Sequence, residues 1–459
     1  MSLLAPDIFK AYDIRGIVDD TLTLHSAYLI GRAVGASAVE KGVTDIAVGR
    51  DGRLSGPSLL AELARGLQDA GLNVLSVGMV ATPMLYFAAH TMTQASGVMV
   101  TGSHNPPNYN GFKMMIAGET LSGEAIQALR QRIEGDDLAQ RPAGQYSEAN
   151  VAQAYQDHIV ADIKPKRGMK IAIDAGNGVA GAFAGDLYRA LGCEVTELFC
   201  DVDGTFPNHH PDPAKPENLQ DLIHTLQTTD CEIGLAFDGD GDRLGVVTKE
   251  GNIIWPDRQL MLFAQDVLVR HPNAQVIYDV KSTRLLNPWI KHHGGQPIMA
   301  RTGHSFIKAK MKETGALIAG EMSGHIFFKE RWFGFDDGMY AGARLIEILS
   351  VSGNPNQVLN QLPDAISTPE LNLQMAKEGD NHALIATLQA AAQFPNADEI
   401  ISIDGLRVEY QDGFGLMRAS NTTPVIVFRF EAETEHGLKR IQAEFKQVLQ
   451  QHTSQTLPF

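Results

Sequence analysis

The sequence predicts an α/β protein: three similar domains, each a mixed sheet built on a βαβ unit, then a smaller C-terminal α+β domain. Two observations lead there. A strand–helix–strand pattern recurs three times, and the last part of the chain changes to paired antiparallel-type strands. The length agrees, since 459 residues carry a soft prior of about three domains.

The first unit runs Ile46-Ala47-Val48-Gly49-Arg50-Asp51, then a helical stretch to Gly71, then a strand over 74–77. Ser55 is placed to cap its helix, Pro57 suits the first turn, and Leu59, Leu60, Leu63 and Leu67 line one face. The second unit runs Ile171-Ala172-Ile173-Asp174, a helical stretch to Gly192, then a strand over 195–198. The third runs Val276-Ile277-Tyr278-Asp279, a helical stretch to Gly294, then a strand over 297–299. Each is a buried-type strand ending in Asp, a helix, a glycine stop and another strand, which builds a parallel or mixed sheet covered by helices.

A further apolar strand follows each unit and runs into a polar loop. Residues 97–100 lead to Thr101-Gly102-Ser103-His104-Asn105-Pro106. Residues 233–237 lead to Asp238-Gly239-Asp240-Gly241-Asp242-Arg243. Residues 316–319 lead to Gly320-Glu321-Met322-Ser323-Gly324-His325. Open α/β sheets bind ligands at the carboxyl ends of their strands, so three loops are offered to one purpose.

The segment Ser367, Thr368, Pro369 is expected to form a linker. Beyond it, 406–410, the turn at Asp412-Gly413, 415–419 and 425–430 are antiparallel strands, and a last helix carries Leu438, Ile441, Phe445 and Val448 on one face. Their loop, Arg418-Ala419-Ser420-Asn421-Thr422-Thr423-Pro424, is rich in donors and resembles a phosphate cradle.

A formal net charge of −16 argues against broad nucleic-acid binding, which needs a basic footprint. Three cysteines, Cys193, Cys200 and Cys231, are too few for a disulfide framework and suit a reducing compartment. No signal peptide and no apolar run long enough for a membrane span is evident, so a cytoplasmic protein is expected.

Carboxylates at positions i, i+2 and i+4 point to one side if the backbone is extended, so Asp238, Asp240 and Asp242 can converge on one hard cation. The calcium-loop pattern fails, with Arg243 where Gly is needed and Lys249 where Glu is needed. Mg²⁺ shared with a phosphate fits better. Ser103 is the hydroxyl that could carry that phosphate. A serine-hydrolase reading is disfavoured: G-x-S-x-G is absent, and adjacent Ser and His do not easily hydrogen-bond as nucleophile and base. The charge of a phosphoserine beside three Asp calls for cations, and Arg15, Lys113 and Arg243 are the candidates. Glu321 and Ser323, at alternate positions, could grip neighbouring sugar hydroxyls if extended; the plainer alternative is a helix N-cap.

Gly176-Asn177-Gly178-Val179-Ala180-Gly181 matches a dinucleotide fingerprint, but it aligns with the strand–helix turns of the other two units, which lack it. A tight turn explains it. The pairs His209-His210 and His292-His293 lack zinc spacing and are expected in loops or on the surface. No Walker A sequence is present.

Together, the segments 12–16, 101–106, 238–243, 320–325 and 418–424 resemble the α-D-phosphohexomutase family along essentially the whole chain, in the family's motif order. Within it the resemblance is to the bacterial branch acting on both mannose and glucose phosphates. The resemblance implies four domains around a central cleft, here divided at 1–149, 150–252, 253–364 and 365–459. It implies reversible phosphoryl transfer between C1 and C6 of hexose phosphates through a phosphorylated Ser103. Mg²⁺ would be held by Asp238, Asp240, Asp242 and a Ser103 phosphate oxygen, with glucose 1,6-bisphosphate as activator and intermediate. Lys113 would be the general acid/base, with His325 a second candidate, and Arg15, His104 and Arg243 would support the transferring group. Tyr12, Glu321, Ser323 and His325 would contact the sugar. Arg418, Ser420, Asn421 and Thr422 would take the non-reacting phosphate, with Lys281 and His304 nearby. The partners implied are hexose phosphates, with no nucleic acid and no membrane, and the working unit a monomer or a dimer. A Mg²⁺-dependent sugar-phosphate phosphatase, an NAD-linked dehydrogenase and a sugar-phosphate sensor are the alternatives.

Overall fold

A computed structural model describes residues 4–138, 140–377, 379–421 and 423–459. It contains four sheets, and the first three repeat one plan. In the first, Asp45–Arg50 runs parallel to Asn73–Met79 on one side and to Gly97–Val100 on the other. Tyr109–Ile116 then returns antiparallel to Gly97–Val100. In the second, Lys170–Asp174 lies between Glu194–Leu198 and Ile233–Phe237, and Leu244–Thr248 is the antiparallel return. In the third, Gln275–Asp279 lies between Gln296–Ala300 and Ile318–Gly320, with Ile326–Phe328 returning. Every polar loop therefore joins the last parallel strand to its antiparallel return.

Extra strands distinguish the copies. Ile14–Ile17 adds to the far edge of the first sheet, against Tyr109–Ile116. Ile253–Ile254 adds to the second, so that sheet runs two residues past 252. The fourth sheet is antiparallel, with Gly413–Ala419 between Leu406–Tyr410 and Val425–Ala432, and the helix Glu435–Leu449 buries Leu438, Ile441, Phe445 and Val448 beneath it. The helix Gly56–Asp69 buries the four expected leucines. Ser55 does not cap it: its backbone is already helical, and its hydroxyl accepts from Asn110 Nδ2 at 2.9 Å instead.

One apolar cluster runs through the first three domains where they meet, from Met84 and Phe87 through Ile171 and Leu235 to Phe328 and Trp332, while each also keeps a cluster of its own, around Leu63, Leu222 and Phe327 in turn. Trp332 marks the seam, stacked on Phe87 with centroids at 6.2 Å and on Tyr340 at 4.3 Å. The fourth domain keeps its own core around Phe428, Phe430 and Phe445. A small cluster of Val280, Phe414 and Leu416 joins it to the third.

Asp337 lies on the same seam. Its carboxyl caps the helix Gly338–Leu349, accepting from Tyr340 N at 2.9 Å, and also accepts from the Tyr155 hydroxyl at 2.8 Å. Burial pushes its pKa up from 3.8 to about 7, outweighing those bonds. A raised folded pKa stabilises below the unfolded value and loses that contribution as pH rises through the folded one. Chemical denaturation of the wild type is therefore expected to lose on the order of 4 kcal/mol from this group between 3.8 and about 7. In Asp337→Asn that step should be missing from the same pH series.

Candidate active site

A cavity of about 730 Å³ opens where the four domains meet, and each of them contributes to its lining. Among the expected residues, Tyr12, Arg15, Ser103, His104, Lys113 and Arg243 face it from the first two domains. Lys281, His304, Glu321, Ser323 and His325 face it from the third, and Arg418, Ser420 and Asn421 from the fourth. Thr422 lies outside the described residues.

The serine loop is held from beneath. Ser103 has φ +48°, a left-handed conformation that is uncommon for a residue with a side chain. Its amide donates to Thr101 Oγ1 at 2.8 Å, and Thr101 in turn donates to Asp51 Oδ2 at 2.7 Å. Arg53, 1% exposed, donates to the carbonyls of Ser103, Asn105, Pro106 and Tyr109 at 2.6–2.9 Å. A Cβ on Gly102 would stand 2.5 Å from the Arg53 guanidinium carbon, so glycine is required there. Asp51 and Arg53 were not singled out in the sequence. The available signal was the Asp ending each repeat strand: Asp51 accepts from Gly102 N at 3.2 Å, and Asp279 from Met322 N at 3.1 Å, one bracing the serine loop and the other the Glu321 loop.

The Ser103 hydroxyl donates to Asp238 Oδ2 at 3.0 Å, across from the second domain. It also lies 3.2 Å from His104 Nδ1. This corrects the expectation that neighbouring Ser and His would not meet; the left-handed turn at Ser103 brings the ring round. Burial, then Arg243 and Arg15, holds the His104 pKa well below the usual value, so the ring is neutral. His210 lies in a loop, as expected, and is half-buried there, its Nε2 donating to the His104 carbonyl. His209 bonds Asp174 at 3.0 Å. That segment and the backbone at Gly239 fill the glycine-rich turn. A Cβ on Gly176 would lie 3.0 Å from His209 Cε1, and one on Gly178 would lie 3.0 Å from Gly239 Cα. The glycines serve backbone packing there.

The carboxylates of Asp238, Asp240 and Asp242 converge within 4.8 Å. They do so through a tight turn, with Gly241 at φ +76°, and not along an extended strand. Asp238 Oδ1 accepts from the Asp242 and Arg243 amides at 3.1 and 3.2 Å. Thr82 donates to Asp240 at 2.6 Å, and Lys113 donates to both Asp240 and Asp242. Burial and the two neighbouring carboxylates push Asp238 well above the ordinary aspartate range. Burial would lower Lys113, but Asp240 and Asp242 outweigh it and hold the ammonium charged. Asp240 Oδ1 and Asp242 Oδ1 remain buried with no hydrogen bond. Three carboxylates so gathered, two of them with a buried oxygen that takes no hydrogen bond, are the donor set a hard divalent cation takes, so the residues fit a metal.

Around this turn, Arg243 lies 3.7 Å from Asp238 and donates from Nε to His325 Nε2 at 3.1 Å. Since His325 Nε2 accepts, the ring proton is on Nδ1, which faces Asp336 Oδ2 at 3.0 Å. Arg15 donates to Asp13 and Asn105. Asp336, which no sequence motif marks, also takes Lys308 Nζ at 2.9 Å.

Residues Glu321 to Gly324 form a hairpin turn, with Gly324 N on Glu321 O at 3.0 Å, and so are neither extended nor a helix cap. Glu321 accepts from Gly303 N, while its Oε2 is buried and unpartnered beside the cavity. Both ring nitrogens of His304 are likewise buried without a hydrogen bond, Nδ1 lying 3.8 Å from Asp336 Oδ2, and Tyr12 packs edge-on against that ring at 5.2 Å. Across the cavity, Arg418 donates to Asp404 at 2.9 Å, and the Thr423 amide and hydroxyl donate to Ser420 Oγ. Asn421 Nδ2 is buried without a partner.

Matches to family models cover almost the whole chain. They are the phosphoglucomutase/phosphomannomutase alpha/beta/alpha domain I over residues 6–140, domain II over 153–251, domain III over 255–366, and the C-terminal domain over 370–448. The chain is 67% identical over 459 residues to a phosphoglucomutase of Neisseria meningitidis serogroup A, covering 100% of both. It is 56% identical over 447 residues to a phosphomannomutase/phosphoglucomutase of Pseudomonas aeruginosa, covering 97% of this chain and 96% of that one. A crystal structure of a phosphoglucomutase/phosphomannomutase family protein from Burkholderia thailandensis superposes with a TM-score of 0.94 at 56% identity, covering 99% of this chain and 100% of that one.

Proposed function

The chain belongs to the phosphoglucomutase/phosphomannomutase family and is a hexose-phosphate mutase, and from that premise we propose its chemical route. A phosphoryl group moves between C1 and C6 of glucose and mannose phosphates, carried in turn by Ser103 and by a hexose 1,6-bisphosphate that turns round in the cavity. One observation supports this above the rest: the Ser103 hydroxyl, backed by the buried carboxylate turn through Asp238, stands at one wall of a cavity whose other wall carries Arg418, Ser420 and Asn421. A bisphosphate that must reverse needs one reactive and one passive phosphate site. A phosphatase needs only the first.

Asp238, Asp240 and Asp242, with a phosphate oxygen on Ser103, would hold Mg²⁺, which when bound neutralises charge on the transferring group. Arg15 and Arg243 orient that group. Glu321 and Ser323 accept and donate to sugar hydroxyls. His325 takes the proton of the attacking sugar hydroxyl on Nε2 once Arg243 turns to phosphate, and Asp336 stabilises the imidazolium. Lys113, held charged by its two carboxylates, returns a proton to Ser103 Oγ. His104, neutral beside that oxygen, fixes its direction. Exclusion of water protects the phosphoserine from hydrolysis.

The whole site is built from one chain, which supports a working monomer, and the three free thiols support a cytoplasmic setting. No helix among the described residues is long and apolar enough to cross a membrane. We place the domain divisions at 1–149, 150–252, 253–364 and 365–459; the first and third fall between sheets, whereas the strand Ile253–Ile254 carries the second sheet two residues past 252.

Intact-mass and phosphosite mapping before and after incubation with glucose 1,6-bisphosphate tests the route. One phosphoryl group on Ser103, then passed to a hexose monophosphate, is expected; an unphosphorylated Ser103, or transfer to water alone, overturns it. Dialysis against EDTA should cut turnover at least about a hundredfold, and added Mg²⁺ should restore it.

A further inference from the structure

The passive phosphate site already holds anions of the protein's own. Lys281 Nζ donates to Glu370 Oε1 at 2.6 Å, and Arg418 Nε to Asp404 Oδ2 at 2.9 Å. All four side chains belong to the meeting of the third and fourth domains, and Lys281, Glu370 and Arg418 line the cavity.

The two anions are held differently. Asp404 is anchored on both sides, accepting from Arg418 and from Thr302 N at 3.0 Å, and its side chain is 10% exposed. It is part of the wall. Glu370 sits on the link Thr368-Pro369-Glu370, between the strands Ile366–Ser367 and Leu371–Gln374, and its side chain is 39% exposed. Lys281, by contrast, is 7% exposed. Its backbone carbonyl is fixed by Arg429, and the neighbouring carbonyls of Val280 and Ser282 by Arg407. A clamped, buried ammonium therefore faces a carboxylate that can turn back into water at little desolvation cost.

We propose that Glu370 is an internal stand-in for the substrate's passive phosphate. It neutralises Lys281 while the cradle is empty, yields to an incoming hexose phosphate, and recaptures Lys281 when the bisphosphate lets go to turn round. The inference deepens the mutase reading and rests on it, because only a reorienting intermediate must leave this site without leaving the protein. Glu370 is a positioning residue: it touches Lys281, not the reacting atoms. Its carboxylate weakens the cradle's hold on phosphate, and that weakness lets the phosphate swap ends.

Glu370→Gln keeps the shape and removes the competing charge. The expected result is that Kd for glucose 1-phosphate, by titration calorimetry, and KM both fall about five- to tenfold. The value of kcat should fall in step, because release for reorientation slows, leaving kcat/KM close to that of the wild type. Glu370→Asp, which keeps the charge on a shorter arm, should fall between the two. A purely structural role would instead raise KM or lower kcat/KM. Unchanged or weakened binding in Glu370→Gln, or an Asp variant that does not fall between, overturns the proposal. Its failure is separable from failure of the mutase route: tighter binding with a Ser103 that never carries phosphate would sink the route and leave the competition standing.

Discussion

Ser103→Ala is expected to lower hexose phosphate interconversion by at least about four orders of magnitude. The melting temperature should move little, since a buried hydroxyl with one donated bond is worth roughly 1 kcal/mol. The asymmetry follows from the site. The Ser103 backbone is set by Thr101, Asp51 and Arg53, none of which touches its Oγ, so the loop survives loss of the oxygen. No other hydroxyl in the described residues is recorded against Asp238, so nothing can take over as carrier. Steady-state assays with both glucose and mannose phosphates, beside a thermal melt, measure the two halves. Activity within about a hundredfold of wild type would rule Ser103 out as the carrier.

The second large effect is at Arg53. Replacing it with alanine strips four carbonyls of the serine loop of their donor and leaves Asp51 without its cation in a dry interior. Breaking a buried pair from one side costs on the order of 3–5 kcal/mol, and a loop displaced by about an ångström can cost a hundredfold in rate. Arg53→Ala is therefore expected to lose both. Arg53→Lys separates them. Lysine restores the charge opposite Asp51 but not the planar fork that reaches several carbonyls at once. Urea melts should show stability partly recovered, while kcat stays at least about tenfold low. Full recovery of kcat in the lysine variant would show that charge alone, and not the fork, sets the loop.

The sequence and the structure agree wherever the information is local. An apolar run, a glycine stop and a polar loop each occupy a few residues, so the three repeats, their helices and the loops at their strand ends were readable. The short antiparallel returns, such as Ile326–Phe328, carry no period of their own and were not. Charge partners were the least legible. Lys113 reads as a cation for a phosphoserine; the fold sets it between Asp240 and Asp242, more than a hundred residues away. Arg53 and Asp336 have no motif at all, and their roles exist only once distant loops are stacked against them. Local pattern also misled on geometry: alternation suggested extended carboxylates at Asp238 to Asp242, whereas Gly241 lets a turn gather them.

The apolar cluster shared by the first three domains has a consequence for how the molecule can move. Three copies of one plan share an apolar cluster on the faces where they meet, beside a cluster of their own, so none can shift without opening the common seam at Trp332. The fourth is attached through the small apolar cluster of Val280, Met299, Phe414 and Leu416 and a set of polar contacts from Arg407, Arg429 and Thr283. Water can replace polar contacts; it cannot replace packing. The molecule is thus a vice with one jaw cast into the frame and the other on a wet bearing. On the proposed route, whatever motion admits a sugar belongs to the jaw that carries Arg418, while Ser103 stays with the frame.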